Sequence, residues 1–404
     1  MSALVATTVL TGPSVAEPFS TAPCALRRTD AHHSEGVDTW NAAYTRPTRP
    51  LSAVMIFLSF PDAPPHTTPA ELAADHFPAT SRYFEQASYG KFTIRPHPLT
   101  HWLRMPRTSV AYGMKRDWSL LLRASYLRDA FAVADPEVDF SRYDVVYFVA
   151  DPDAPGVDSD ATKVVNMDVP VHADGTDVRR VVTVFEKHPP DRLVLAHETG
   201  HVFDLPDLYR RPVDGKGDWD TYVGDWDLMG SQFGLSPDLF AWHKWKLGWL
   251  DPRQVVCVRG AGPSRLTLEP LSAGPGAPAR GAAGAPAFGL GDGTKLAVVR
   301  TGPDTVLAFE ARGASGNDSA ACREGVLVYR VRDETASGGG PIEVIDAHPR
   351  TEACWENSVY PPLADAPVAL GESFTVPGDG VRVDVEGRTP SGAWNVKITP
   401  GEPA

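Results

Sequence analysis

The stretch RLVLAHETGHVFDLPDLY, residues 192–209, sets His197 and His201 four positions apart with Glu198 directly after the first. The run enters from Pro189, Pro190 and Asp191, a proline-marked turn that suits a helix start. On a helix, residues four apart share one face about a turn apart, so both imidazoles can reach one metal ion. Glu198 then lies beside the water such an ion would carry, whose pKa falls from 15.7 toward ~7, and can accept its proton as general base. With 12 His in 404 residues, random placement gives only about 0.015 occurrences of the HExxH pattern. The plain reading, a helix with two surface histidines and a glutamate, is correspondingly weak. A catalytic zinc needs a third protein ligand. Pro206 cannot continue the helix and pushes Leu205 toward extended geometry, so the chain turns and carries Asp207 back toward the metal. Asp204 is the competing ligand, and a helix-end turn residue is the plain reading of Asp207.

Working outward, VVTVFE (181–186), YDVVYFVAD (143–151) and AVMIFLSF (53–60) are apolar runs of buried-strand length. Residues 69–88 read as helix interrupted at Pro78, and FTIRP resumes an extended pattern after Gly90. A second helix is predicted from Asp117, as cap, to Ala134, with Leu121, Leu122, Tyr126, Ala130 and Phe131 at helical spacing and Pro136 as its stop. Strands alternating with helices imply an α/β arrangement.

These segments resemble the M6 metallopeptidases, the immune inhibitor A type. Their pattern HExxHxxGLPD followed by Tyr is matched by His197, Glu198, His201, Leu205, Pro206, Asp207 and Tyr209, with Asp204 standing in the glycine place. GDWDLMGS (224–231) is similar to the family's Met-turn, which makes Met229 the methionine beneath the metal site. PDLFAWHKWKLGWL (237–250) resembles the helix that closes the catalytic domain; Leu239, Trp242, Trp245 and Trp249 read as its packed face, and His243 as structural. YFEQASYGKFTI (83–94), AFEAR and GVLVYRV extend the likeness, which runs from about residue 50 to 350 and is specific mainly over 197–231. The resemblance implies an α/β zincin fold with a metzincin-like layout and zinc held by His197, His201 and Asp207. Glycine at position 204 would turn sharply with positive φ, which aspartate tolerates less well. Tyr209 and Tyr222 are candidate donors to a developing oxyanion, with packing the preferred reading of each.

After Leu250 the texture changes. A Gly/Pro/Ala-rich stretch over 270–293 separates short pieces, KLAVVR, TVLAFEAR, GVLVYRV, SFTVPG, VRVDVEG and WNVKITP, that read as a β-sandwich-like domain. The expected organisation is an N-terminal signal or pro-region over 1–45, a catalytic domain over 46–250 and a β-rich accessory domain over 251–404.

The net charge of −13 argues against nucleic acid partners. Acidic loops at 151–160 and at Asp214, Asp218 and Asp220 read first as solvated loops and second as calcium sites, without EF-hand spacing. Four cysteines without CxxC spacing favour disulfides over a thiolate site. They allow three pairings; Cys322 and Cys354 flank a strand-rich stretch and are placed to pair locally, which leaves Cys24 for Cys257. No run approaches the roughly 20 apolar residues of a membrane span. Residues 2–16 look like the apolar part of a signal peptide without its basic start. No sequence feature assigns an oligomeric state. The expected function is a secreted zinc endopeptidase acting on proteins or peptides. The rivals are a binding or adhesion protein on a decayed peptidase scaffold and a zinc hydrolase of non-protein substrates.

Overall fold

The nine residues of β1, Leu51–Ser59, send their side chains alternately into two cores, which is why a continuous apolar run is needed there. Ala53, Met55 and Phe57 enter one core, and Val54, Ile56 and Leu58 enter the other. The computed structural model describes residues 23–32, 34–212, 215–260, 262–274, 291 and 293–401. The signal-like stretch, Asp214 and most of the Gly/Pro/Ala-rich stretch lie outside the described residues.

After β1 come α1 (Pro69–His76), α2 (Ala79–Ala87), β2 (Ile94–Arg104), α3 (Leu120–Ala134), β3 (Val145–Ala150), β4 (Lys163–Ala173), β5 (Thr176–Val184), α4 (Val194–Val202) and α5 (Ala241–Lys246). Thr68 opens α1 through a capping box with Glu71, and Pro69 follows at the first helical position. The helical segment divides around Pro78, as its fixed ring requires. The sheet order is β2-β1-β3-β5-β4, with β4 antiparallel to β5 at the edge and the other pairings parallel. α4 packs in the core on one face and α3 in the core on the other.

The start of α3 differs from the expectation. Asp117 does not cap it; Ser119 does, without a side-chain hydrogen bond. Trp118 is buried and donates through Nε1 to the Tyr112 carbonyl (2.8 Å), which holds the preceding residues out of the helix. Leu121 and Leu122 are also not on the packed face: Leu121 is 83% exposed, while Tyr126, Ala130 and Phe131 are buried.

The second half contains β6 (Val255–Val258), β7 (Ser264–Leu268), β8 (Leu296–Arg300), β9 (Thr305–Arg312), β10 (Gly325–Arg332), β11 (Ile342–Val344), β12 (Ser373–Thr375), β13 (Arg382–Arg388) and β14 (Trp394–Thr399). They form two sheets, β11-β10-β9-β8-β6 and β12-β13-β14-β7. Phe309 and Val328 from one sheet and Val383, Trp394 and Ile398 from the other share a core. The first of these sheets turns its other face, with Val298, Ala308, Leu327 and Tyr329, into the core that also holds α4, Trp242 and Trp245. The buried core therefore runs across residue 251. Disulfides join Cys24 to Cys257 and Cys322 to Cys354, the pairing expected from their placement. No described helix is long and apolar enough to cross a membrane.

Candidate metal centre

All nine residues of α4 are buried, so its two imidazoles can be held only by neighbours inside the protein. His197 Nδ1 lies 2.9 Å from the Leu228 carbonyl and His201 Nδ1 lies 2.7 Å from the Leu205 carbonyl. A carbonyl only accepts, so each Nδ1 carries a hydrogen, and in the neutral imidazole each Nε2 is then the lone pair. Asp204 has φ +72° and turns the chain back, so Leu205 returns to the helix, its N–H reaching the Gly200 carbonyl (3.1 Å). Asp207 follows at once.

Its Oδ1 stands 3.4 Å from His197 Nε2 and 3.1 Å from His201 Nε2. That oxygen is buried and has no hydrogen-bond partner. The ligand atoms of His197, Glu198 and His201 lie within 4.8 Å of one another. Two imidazole lone pairs and a carboxylate oxygen facing one another repel unless a cation lies among them, and nitrogen with oxygen donors suits zinc. Without an ion the same demand falls on protons. Burial opposes charge on His201, but Asp207 outweighs it and pushes the imidazole up to about 10. Burial also opposes charge on Asp207, yet the two histidines hold it well below the usual carboxylate range.

Glu198 is pushed up by burial, against the pull of the two histidines. Its Oε2 accepts from the Val164 N–H (2.8 Å), so edge strand β4 fixes the carboxylate's orientation. Met229 is fully buried under α4: a Cβ on Gly200 would come within 2.6 Å of its Sδ. Its loop also ties the ligands together, since Leu228 receives His197 and the Met229 carbonyl receives the Leu208 N–H (2.9 Å). Asp227 holds that loop through the Met229 N–H (2.8 Å) and the Phe240 N–H (2.7 Å), with His243 against it. His243 thus turns its Nδ1 to Asp227 and does not belong to the His197, Glu198 and His201 group.

Asp204 is engaged elsewhere. Its carboxylate accepts from Lys246 Nζ (2.7 Å) and the Gly36 N–H (3.1 Å), with Arg28 beside it. Of the two tyrosines, Tyr209 lines the cleft and stacks on His197 at 6.2 Å, whereas Tyr222 packs against Gly340 outside it. Leu239, Trp242, Trp245 and Trp249 are buried, as a packed face requires. Among the described residues the acidic loops gather no three ligand side chains; Asp151 instead accepts from the Asp153 N–H and Asp153 from the His66 N–H. The anchors of the site that sequence reasoning missed are backbone groups, the Val164 N–H and the Leu205 and Leu228 carbonyls, which no side-chain pattern announces. The Ser337 hydroxyl, which accepts from the Asp207 N–H, and the Gly338 N–H, which donates to the Asp207 carbonyl, were missed because only the fold brings the second half of the chain to this turn.

No protein-family model matches the chain, and no curated protein matches it. Among solved structures it is similar to wild-type OgpA from Akkermansia muciniphila, with 12% identity and a TM-score of 0.29 over 88% of this chain and 94% of that one. A likeness of that size carries no argument about activity.

Proposed function

We propose that this chain is a secreted zinc-dependent endopeptidase of the M6, immune inhibitor A, type. One observation carries the reading: with each Nδ1 turned to a backbone carbonyl, His197 Nε2 and His201 Nε2 converge on Asp207 Oδ1 at 3.4 and 3.1 Å, three ligand atoms around one point. These three residues would hold the ion, which supplies Lewis acidity when bound, acidifying water and polarising a carbonyl. Glu198 takes a proton from water at the oxygen that Val164 leaves free and returns it to the departing amine; its burial favours the protonated form that this cycle needs. Tyr209 faces the same cleft and is the candidate donor to the oxyanion.

The mostly parallel sheet with an antiparallel edge strand, α4 and the Met229 loop support a metzincin-like zincin over residues 46–250. The two sheets around one core support a β-sandwich-like accessory domain over 251–404. Two disulfides support export. Proteins or peptides are the substrates, and the net charge of −13 speaks against nucleic acid.

The test is metal content measured alongside casein cleavage. Zinc should be present at one per chain, a chelator should stop cleavage, and added zinc should restore it. Glu198→Gln should keep the zinc and lose about 10²- to 10⁴-fold in turnover. Zinc-replete protein that leaves casein and a panel of other proteins uncut would move the assignment to a hydrolase of non-protein substrates.

A further inference from the structure

The wall of the cleft beside Glu198 carries two cations that no carboxylate among the described residues pairs with, in a chain of net charge −13. Lys163 opens β4 one residue before the N–H that holds Glu198, and its Nζ donates to the Arg116 carbonyl (2.7 Å). Arg123, in the first turn of α3, lines both the cleft of about 960 Å³ and the adjoining groove of about 630 Å³ along β4. Of the nearby arginines, Arg116 pairs with Asp160 (3.2 Å), Arg28 with Asp38 (2.9 Å), Arg179 with Asp177 (3.2 Å) and Arg211 with Asp207 (3.8 Å), while Arg180 donates to the Ala43 carbonyl and lies over the Tyr44 ring. Acidic groups on the same wall are committed too, Asp160 to Arg116 and Glu35 to Asn166 and Ser34. Asp117 also lines the cleft, where its charge favours the Lys163 ammonium.

Burial, and after it repulsion from the Arg123 guanidinium that lines the same cleft, lower the Lys163 ammonium against the pull of Glu198. A bound anion relieves that repulsion, and a guanidinium can donate two parallel hydrogen bonds to a carboxylate. We propose that Arg123 and Lys163 read a carboxylate side chain of the substrate, so that the enzyme prefers peptides with Asp or Glu close to the bond it cuts. The inference rests on the peptidase reading above and names the substrate class of that site.

The experiment uses the zinc-loaded full chain and quenched fluorogenic peptides in matched sets. Members of a set differ only by Asp against Asn, or Glu against Gln, at one position within three residues of the cut, with free or amidated C-termini. At one position the acidic peptide should have a kcat/KM about 10- to 100-fold above its amide twin. Arg123→Gln should bring that ratio below about 3, Lys163→Gln should lower it less, and Arg123→Lys should keep most of it. Binding of the same peptides to the inert Glu198→Gln protein, followed by fluorescence anisotropy, should show the same ranking without turnover. Equal handling of acidic and amide peptides, or a ratio that both substitutions leave intact, would overturn the inference. So would a preference that follows only the free C-terminus. If no peptide is cut, the peptidase reading fails, and the binding series still decides whether a carboxylate is read.

Discussion

Asp204 occupies a position with φ +72°, where a glycine costs least, yet its side chain is buried and bonded to Lys246 and Gly36. The aspartate does two things at once: it makes the turn that presents Asp207, and it anchors the N-terminal segment and α5 to that turn. Asp204→Gly eases the backbone but leaves the buried Lys246 ammonium with the Asp38 carbonyl (2.8 Å) and, as its nearest carboxylate, the more distant Asp38 side chain at 3.5 Å. The variant should lose about 3 kcal/mol in urea unfolding while its zinc affinity stays the same; a more stable variant would contradict this account. At this scale the grouping of His197, Glu198 and His201 was legible because the motif is local and its spacing sets the three on neighbouring positions of one helix. Asp207 was legible through Pro206, which dictates where the chain turns. The Asp204 network was not, because Gly36, Arg28 and Lys246 are brought to it only by the fold.

The central strands and α4 were legible from apolar runs and proline punctuation, whereas β4 was missed. Its outer residues are half-exposed or exposed, and it contains Pro170, so it lacks the apolar signature of its neighbours. The available signal was Asp174-Gly175, a dipeptide with positive φ at both residues that closes the β4–β5 hairpin. The start of α3 was misread because a tryptophan inside a helical pattern can be buried from a turn just as well. Two elements invite tests. Where α4 rests on the Met229 loop, Gly200→Ala should cost about 1–3 kcal/mol, and Met229→Ala in the same chain should recover part of it, a coupling that denaturant unfolding of the four-member cycle measures. At the end of α1, burial lowers the His76 imidazole to about 4. The unfolded chain takes up that proton near 6.5 and the folded one does not, so stability is full above 6.5 and falls as pH drops toward 4. Urea melts across this window should lose about 3 kcal/mol from this group, and His76→Gln should flatten the slope.

For the whole molecule, composition and texture pointed to two halves, and the structure joins them through one core. Tyr329 and Leu327 pack with Trp242 and Trp245, and Asp207 is bonded by Ser337 and Gly338. Arg312, fully buried on β9, reaches Asp318 (2.7 Å) and the carbonyls of Trp226 (3.0 Å) and Asp238 (3.1 Å). Such contacts between segments far apart in order leave no periodic trace, which is why sequence texture shows a change at residue 251 and not the seam. Calorimetry should therefore give one unfolding transition with equal calorimetric and van't Hoff enthalpies; two resolved transitions would show that the halves stand independently. The Cys24–Cys257 bridge encloses His197, Glu198, His201, Asp207 and Met229 within a loop whose ends are 233 positions apart. One backbone cut anywhere inside that loop releases no fragment. A nicked molecule keeps its mass on a gel until a thiol is added, and only then separates into two bands.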